Sequence, residues 1–205
     1  MLKQILLPAF LFLCLFSASA QTDIVQPDSI IYPVHKEHIG RIVFMETIIP
    51  IDKFIKADFL KKFELKEKAN LGMRIFMGNS LTNYLHQLAP EMTAEQLVRK
   101  GNFQFTFYVD GELIYKENVH FNSVSAENKN KRTIISIPLM STTDEDTWGR
   151  FMWNRFMAKG GEDVFTAGSH ILKIAMRPYV LKDDIVSGNI VAEGQITIEV
   201  PVIHE

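Results

Sequence analysis

His35-Lys-Glu-His38 places two imidazoles three residues apart with Glu37 between them. On a helix or tight turn that spacing lets both rings face one metal ion, with a third ligand supplied from elsewhere. The other reading is two solvated histidines after Pro33. Asp144-Glu145-Asp146 gathers three carboxylates in one turn, and Glu162-Asp163 follows across a short apolar segment. Calcium takes six or more oxygens, so Asp144, Asp146 and Glu162 join His35 and His38 as the metal-ligand set, with calcium the one cofactor the pattern suggests. Acids at the start of a helix also meet the positive end of its dipole, which accounts for the same turn without a metal. No G-x-S-x-G elbow and no S-x-x-K pair occurs, nor any glycine-rich phosphate loop. A hydrolase site would therefore have to assemble in space from scattered residues.

Trp148 to Lys159 carries a different chemistry. At about 100° per residue on a helix, Trp148, Phe151, Met152 and Phe156 form one apolar stripe, with Trp153 and Met157 on its flank and Arg150, Asn154 and Arg155 on the remainder. The apolar arc is too wide for an ordinary surface helix. Either the helix is buried on two sides, or Trp153 and Met157 are exposed beside arginines, the composition of binding hot spots and sugar platforms. The binding set is accordingly Trp153, Met157, Arg150, Asn154 and Trp148, for a protein partner or a glycan.

The elements that must position these groups begin with a leader. Lys3, an apolar run from Ile5 to Phe16 and Ser17-Ala18-Ser19-Ala20 have the three parts of a secretory signal cut after Ala20. The run is shorter than the roughly 20 residues of a membrane-spanning helix. The expected address is the periplasm or the cell exterior. Cys14, the chain's single cysteine, falls inside that leader; Leu13 before it does not suit lipoprotein processing. The mature chain would lack thiols, and with them disulfides and thiolate metal sites. Removing Lys3 takes the net charge from −2 to −3, so nothing points to nucleic acid. The 15 Phe within 47% hydrophobic residues suffice for a core. Residues 21–205 read as one domain, with a sub-boundary near 101.

Within it, Asp52 to Lys68 fits an amphipathic helix with a stripe of Phe54, Ile55, Phe59, Leu60 and Phe63, either on a membrane surface or as an ordinary helix with a solvated face. Ser80 or Asn79 caps a helix ending before Pro90. Thr93 and Gln96 form a capping box, with Met92 and Leu97 at the staple positions. From Asn102 the period becomes two: Phe103, Phe105, Phe107 and Val109 alternate with Gln104, Thr106 and Tyr108, and Asp110-Gly111 marks a type I′ hairpin. Further strands are expected at 39–49, 71–77, 132–140, 169–179 and 195–200, the lead-in at 21–36 offering at most an edge strand. Short strands with turn signals and one interposed helix suggest a mainly β, α+β chain folded as an antiparallel β-sandwich.

Ala167-Gly168-Ser169-His170-Ile171-Leu172-Lys173-Ile174, with the strand at Gln195 to Val200, resembles the penultimate and last strands of immunoglobulin-like modules in secreted bacterial proteins. The same half, including Trp148 to Phe156, looks like accessory regions found beside serine-hydrolase domains. The resemblance spans about residues 102–200 and implies an immunoglobulin-like sandwich with an accessory, non-catalytic role. The leading expectation is a secreted binding module at the bacterial envelope. A small-ligand or metal-binding protein, with a pocket near Tyr84 and His86, is the alternative; a hydrolase with a spatially assembled site is the third.

Overall fold

In a computed structural model of the chain, the residues described are 30, 32–53, 59–66, 68–119, 132–143 and 147–202. The expected signal segment, residues 1–20, and Asp144, Glu145 and Asp146 lie outside them.

The chain is mainly β with a few short helices. Helix α1 (Pro33–His38) leads into β1 (Arg41–Met45), β2 (Lys62–Glu64) and β3 (Leu71–Phe76). Helices α2 (Leu81–Leu88) and α3 (Ala94–Lys100) precede the hairpin β4 (Gly101–Val109) and β5 (Glu112–Val119). There follow β6 (Ile134–Met140), α4 (Trp148–Phe156), a widened turn at Met157–Gly161, the single turn α5 (Glu162–Val164), and strands β7 (Gly168–Leu181), β8 (Ile185–Ser187) and β9 (Ala192–Val200).

All nine strands described join one sheet in the order β5-β4-β7-β9-β1-β3-β6, with β2 on β9 and β8 on β7. Most pairs are antiparallel, as expected, but β9 runs parallel to both β1 and β2. The sheet is therefore mixed, and its strands form one continuous ladder where two facing antiparallel sheets were expected. Backbone contact makes this arrangement close: a Cβ on Gly194 of β9 would sit 1.9 Å from the Ile42 carbonyl oxygen of β1. Helix α4 packs on both β6 and β5, the two ends of the strand order. The sheet is thus curled until one helix spans its opening, and the concave face becomes the core.

That core is what the alternation of β4 predicts. Phe103, Phe105 and Phe107 are fully buried and meet Met152, Trp153 and Phe156 of α4 in one cluster. Phe107 stacks on Phe156 with ring centroids 4.8 Å apart. Asp110 and Gly111, at φ 50 and 89, make the two-residue hairpin turn that Asp-Gly specifies. The Thr93–Gln96 capping box forms in both directions, at 3.3 and 2.9 Å. Ser80 caps α2, although at 3.4 Å.

Two expectations about local structure are corrected. The stretch around Phe59, Leu60 and Phe63 is no helix: Leu60 bridges to Phe44, and Lys62–Glu64 is a strand whose middle residue alone is buried. Lys62-Phe63-Glu64 satisfies a two-residue period as well as a helical one, and pairing with β9 decides for the strand. Phe54 and Ile55 lie outside the described residues. Conversely, Pro33 to His38, expected as loop or edge strand, is a helix with Pro at its start.

Candidate functional site

Helix α4 begins where Thr147 accepts the Arg150 N–H on its hydroxyl at 3.3 Å. Its buried residues are Gly149, Met152, Trp153 and Phe156, the i, i+3, i+4, i+7 pattern of one helical face. Gly149 fixes which face this is. A Cβ there would lie 2.1 Å from the Pro138 carbonyl oxygen and 2.4 Å from Ile137 Cγ2. Only a residue without a side chain lets the helix lie that close to β6, and Trp153, one turn on, is carried beneath the helix.

This placement revises the binding set drawn from sequence. Trp153 is 4% exposed and packs edge-on against Phe156 at 5.3 Å; it is a core residue, not a surface platform. Trp148 is half-buried against Phe105, 5.7 Å between centroids, and Met157 is half-buried against the core. Phe151, assigned to the core stripe by periodicity, is 51% exposed. The outer face is Arg150, Phe151, Asn154 and Arg155, so both arginines and the asparagine stay where a partner could meet them.

The arginines are tethered. Arg150 Nη1 donates to the Thr143 carbonyl at 3.2 Å. Arg155 Nη1 donates to Glu117 Oε1 at 2.9 Å, and Glu117 Oε2 accepts the Tyr115 hydroxyl. Glu117 is buried on β5, so Arg155 clasps the helix to one end of the sheet. Burial pushes the Tyr115 phenol up to about 12, with the hydrogen bond to Glu117 adding to the effect. At neutral pH the tyrosine is therefore a fixed donor, and Glu117 is occupied on both oxygens. The trio is built to hold α4 against β5, and a proton-transfer role would require breaking it.

The expected metal ligands do not converge where they can be seen. His35 is 1% exposed, its Nε2 bonded to the Met77 carbonyl at 2.9 Å. Desolvation lowers its pKa, so it is a neutral core histidine rather than a solvated one. His38 Nδ1 bonds the Val34 carbonyl at 2.9 Å within the same helix. Glu162 is exposed on α5; Asp144 and Asp146 lie outside the described residues. Among the described residues no group of three His, Cys, Asp or Glu side chains is placed to share a metal ion.

His170 bonds the Thr166 carbonyl through Nε2 at 2.9 Å and pairs with Asp110 Oδ2 through Nδ1 at 2.8 Å. Its pKa is raised, chiefly by the Asp110 carboxylate. Asp110 Oδ1 accepts the Ile171 N–H at 2.8 Å, so this pair pins the hairpin tip to β7. The space between the sheet and helices α2 and α3 holds Leu81, Leu85, Ala89 and Leu97, each at most 4% exposed. The Tyr84 hydroxyl accepts the Gly78 N–H at 3.1 Å. A groove of about 350 Å³ runs beside Thr142, lined by Glu46, Lys62, Glu64, Lys66 and Lys68. Its Lys62 and Lys66 are held by Glu199 and Glu64 at 2.9 and 3.0 Å. No helix among the described residues is long and apolar enough to cross a membrane. A scan of protein-family models finds none that matches this chain, and a search of curated proteins likewise finds no match.

Proposed function

We propose that this chain is a secreted, non-catalytic binding module of the bacterial envelope that recognises a protein partner through the outer face of α4. One observation carries the reading: Phe151 is half exposed in the middle of a well-anchored helix, between Arg150 and Arg155. Aromatic and arginine side chains dominate binding hot spots, and tethering both arginines lowers the entropy lost when a partner docks. Two cations flanking one apolar ring suit a partner surface with carboxylates around an apolar pocket. A glycan platform relied on an exposed tryptophan, and with Trp153 in the core a protein partner fits better.

The resemblance of residues 102–200 to immunoglobulin-like accessory modules, and export after cleavage at Ala20, belong to the same proposal. Amino-terminal sequencing of the secreted chain is expected to start at Gln21; a start at Met1 would remove the envelope from it. The binding face is tested by placing a photo-crosslinking phenylalanine analogue at position 151 in the cells the protein comes from, with Val202 as the control position. A discrete adduct at 151 that is absent at 202, and that Arg150→Glu suppresses, supports the face. Equal adducts at both positions would rule it out.

A further inference from the structure

The face of the sheet turned away from the core has two unlike halves. On β1 and β3 it carries Val43, Met45 and Phe76, which pack with Val34, Ile48 and Phe59 in a small cluster of their own. On β5, β4 and β7 it is polar, because alternation sends Phe103, Phe105 and Phe107 inward and leaves Gln104 and Tyr108 outside. The ladders then set the neighbours. Gln104 lies opposite Asn118 of β5 and Arg177 of β7, Thr106 opposite Lys116, and Tyr108 opposite Lys173. Residues directly opposite one another share a face, so Lys116, Lys173 and Arg177 stand on one surface. Arg41 of β1 reaches its border, beside Glu193 of β9.

Among the described residues of these rows, Glu193 is the one carboxylate set against those cations. It pairs with Lys173 Nζ at 2.9 Å, and the ammonium lies 6.0 Å from the centre of the Tyr108 ring. Lys116 and Arg41 are exposed and Arg177 is half-buried, and none of the three has a side-chain partner among the described residues. The acids at the border, Asp110 and Glu199, are held by His170 and by Lys62 with Ser169. The whole chain is net negative at −2, so this positive excess is local, and like charges on neighbouring strands oppose folding rather than help it. Lys173 and Arg177 are four residues apart on one strand, about 13 Å, and Lys116 lies two strands to the side, about 10 Å away. A lone carboxylate or phosphate reaches one of them at a time, whereas a polymer of repeated charges reaches them all. Between them Gln104 Nε2 donates to Asn118 Oδ1 at 2.9 Å, which leaves Gln104 Oε1 to accept and Asn118 Nδ2 to donate. That two-way bonding suits hydroxyls better than acyl chains. Both β4 and β7 are paired on each side, so neither offers an edge for a peptide strand to join. We infer that this face binds an acidic polysaccharide, its carboxylates on Lys116, Arg177 and Lys173 and its hydroxyls on the Gln104–Asn118 amides. The surface lies across the sheet from the core that α4 covers, and the inference does not depend on α4 having a partner.

Polygalacturonate is the probe, titrated into the purified protein and followed by NMR. Dextran serves as the neutral polysaccharide, polyglutamate as an acidic polymer without hydroxyls, and phosphatidylglycerol vesicles as an anionic surface. Polygalacturonate is expected to shift the side-chain amide signals of Gln104 and Asn118 saturably, and to bind about tenfold or more tightly than each of the other three. Salt at about 0.5 M, where the screening length falls below about 5 Å, should weaken it by a similar factor. Lys116→Glu combined with Arg177→Glu should weaken binding about tenfold or more. Lys159→Glu, the same change of charge in the exposed turn after α4, should leave it within about twofold. The shifts are read on the unsubstituted protein, so the assignment stands or falls even where the double variant does not fold. Dextran or polyglutamate binding as tightly as polygalacturonate, preference for the vesicles, shifts centred away from Gln104 and Asn118, or an equal loss in Lys159→Glu would each overturn it.

Discussion

Gly149→Ala tests how the sheet is closed, and the sign of its effect decides. Helix propensity alone favours alanine over glycine by up to about 1 kcal/mol, so at an open helical position the variant would be the more stable protein. Here the new methyl would stand 2.1 Å from the Pro138 carbonyl oxygen, 2.4 Å from Ile137 Cγ2 and 3.0 Å from the Pro138 carbonyl carbon. A backbone oxygen on a paired strand cannot step aside as a flexible side chain would, so the helix must retreat by about 1 Å. A gap of 0.5–1 Å forfeits roughly a quarter to a half of each van der Waals contact, and Met152, Trp153 and Phe156 all stand on the retreating face. Overpacking costs about 1–3 kcal/mol, and a clash with backbone at 2.1 Å belongs in the upper part of that range, about 2–3 kcal/mol, which outweighs the propensity gain of about 1 kcal/mol and leaves a net loss of about 1–2 kcal/mol. The chain's two tryptophans, Trp148 and Trp153, both lie on this helix, so intrinsic fluorescence during urea unfolding reports on the element concerned. With a slope of about 2 kcal/mol/M, the midpoint should fall by about 0.5–1 M. An unchanged or raised midpoint would refute the close approach of α4 to β6, and with it the account of why Trp153 is buried.

Trp153→Ala should cost about 3–5 kcal/mol, as for core aromatics, whereas Phe151→Ala should stay within about 0.5 kcal/mol; calorimetry of the two variants side by side separates core from surface. The Asp110–His170 clasp should depend on pH in both directions. The folded pKa of His170 is raised, so its contribution is complete below about 6.5 and fades as pH climbs through the folded value. The folded pKa of Asp110 is lowered, with the Ile171 N–H bond the largest cause, so its contribution is present above about 4 and fades as pH falls through the folded value. An NMR titration of His170 in Asp110→Asn should move its midpoint back toward the ordinary histidine value, and an unmoved midpoint would remove the carboxylate as the cause. Removing the Tyr115 hydroxyl leaves one Glu117 oxygen short of a donor in a buried site, so Tyr115→Phe should lower stability by about 1–3 kcal/mol. A denaturation midpoint equal to that of the unsubstituted chain would show that Glu117 is satisfied without it.

What could be read locally was legible in the sequence. The Asp110-Gly111 turn, the Thr93–Gln96 capping box and the alternating phenylalanines of β4 each carry their whole signal within a few residues, and each stands where periodicity or turn chemistry puts it. The strand at Lys62–Glu64 was not legible, because an apolar residue between two charged ones fits either period and the deciding partner, β9, lies 135 or so positions away. Pairing at that distance also decides whether strands make two sheets or one, and the parallel placement of β9 beside β1 and β2 leaves no mark within either segment except a glycine.

Glycine was in fact the signal that periodicity overlooked. A hydrophobic stripe weighs Trp148, Phe151, Met152 and Phe156 by their apolarity and treats Gly149 as empty, so the inward face is drawn about one residue out of place: Phe151 is sent inside while Trp153 is left on the flank, open to either face. Counting Gly149 as an inward residue, a place where backbone must meet backbone, turns the helix to the face that the structure buries. The same weighting applied to Gly194, whose absent side chain admits the Ile42 carbonyl, would have marked a strand crossed closely by another. In a sheet curled tightly enough for one helix to span its ends, the tightest approaches carry the most information about topology, and those are the positions where hydrophobicity has nothing to count. The proposed binding residues then follow from the closure: with Gly149 and Trp153 turned inward, Arg150, Phe151, Asn154 and Arg155 are what the closing helix leaves on its outer face.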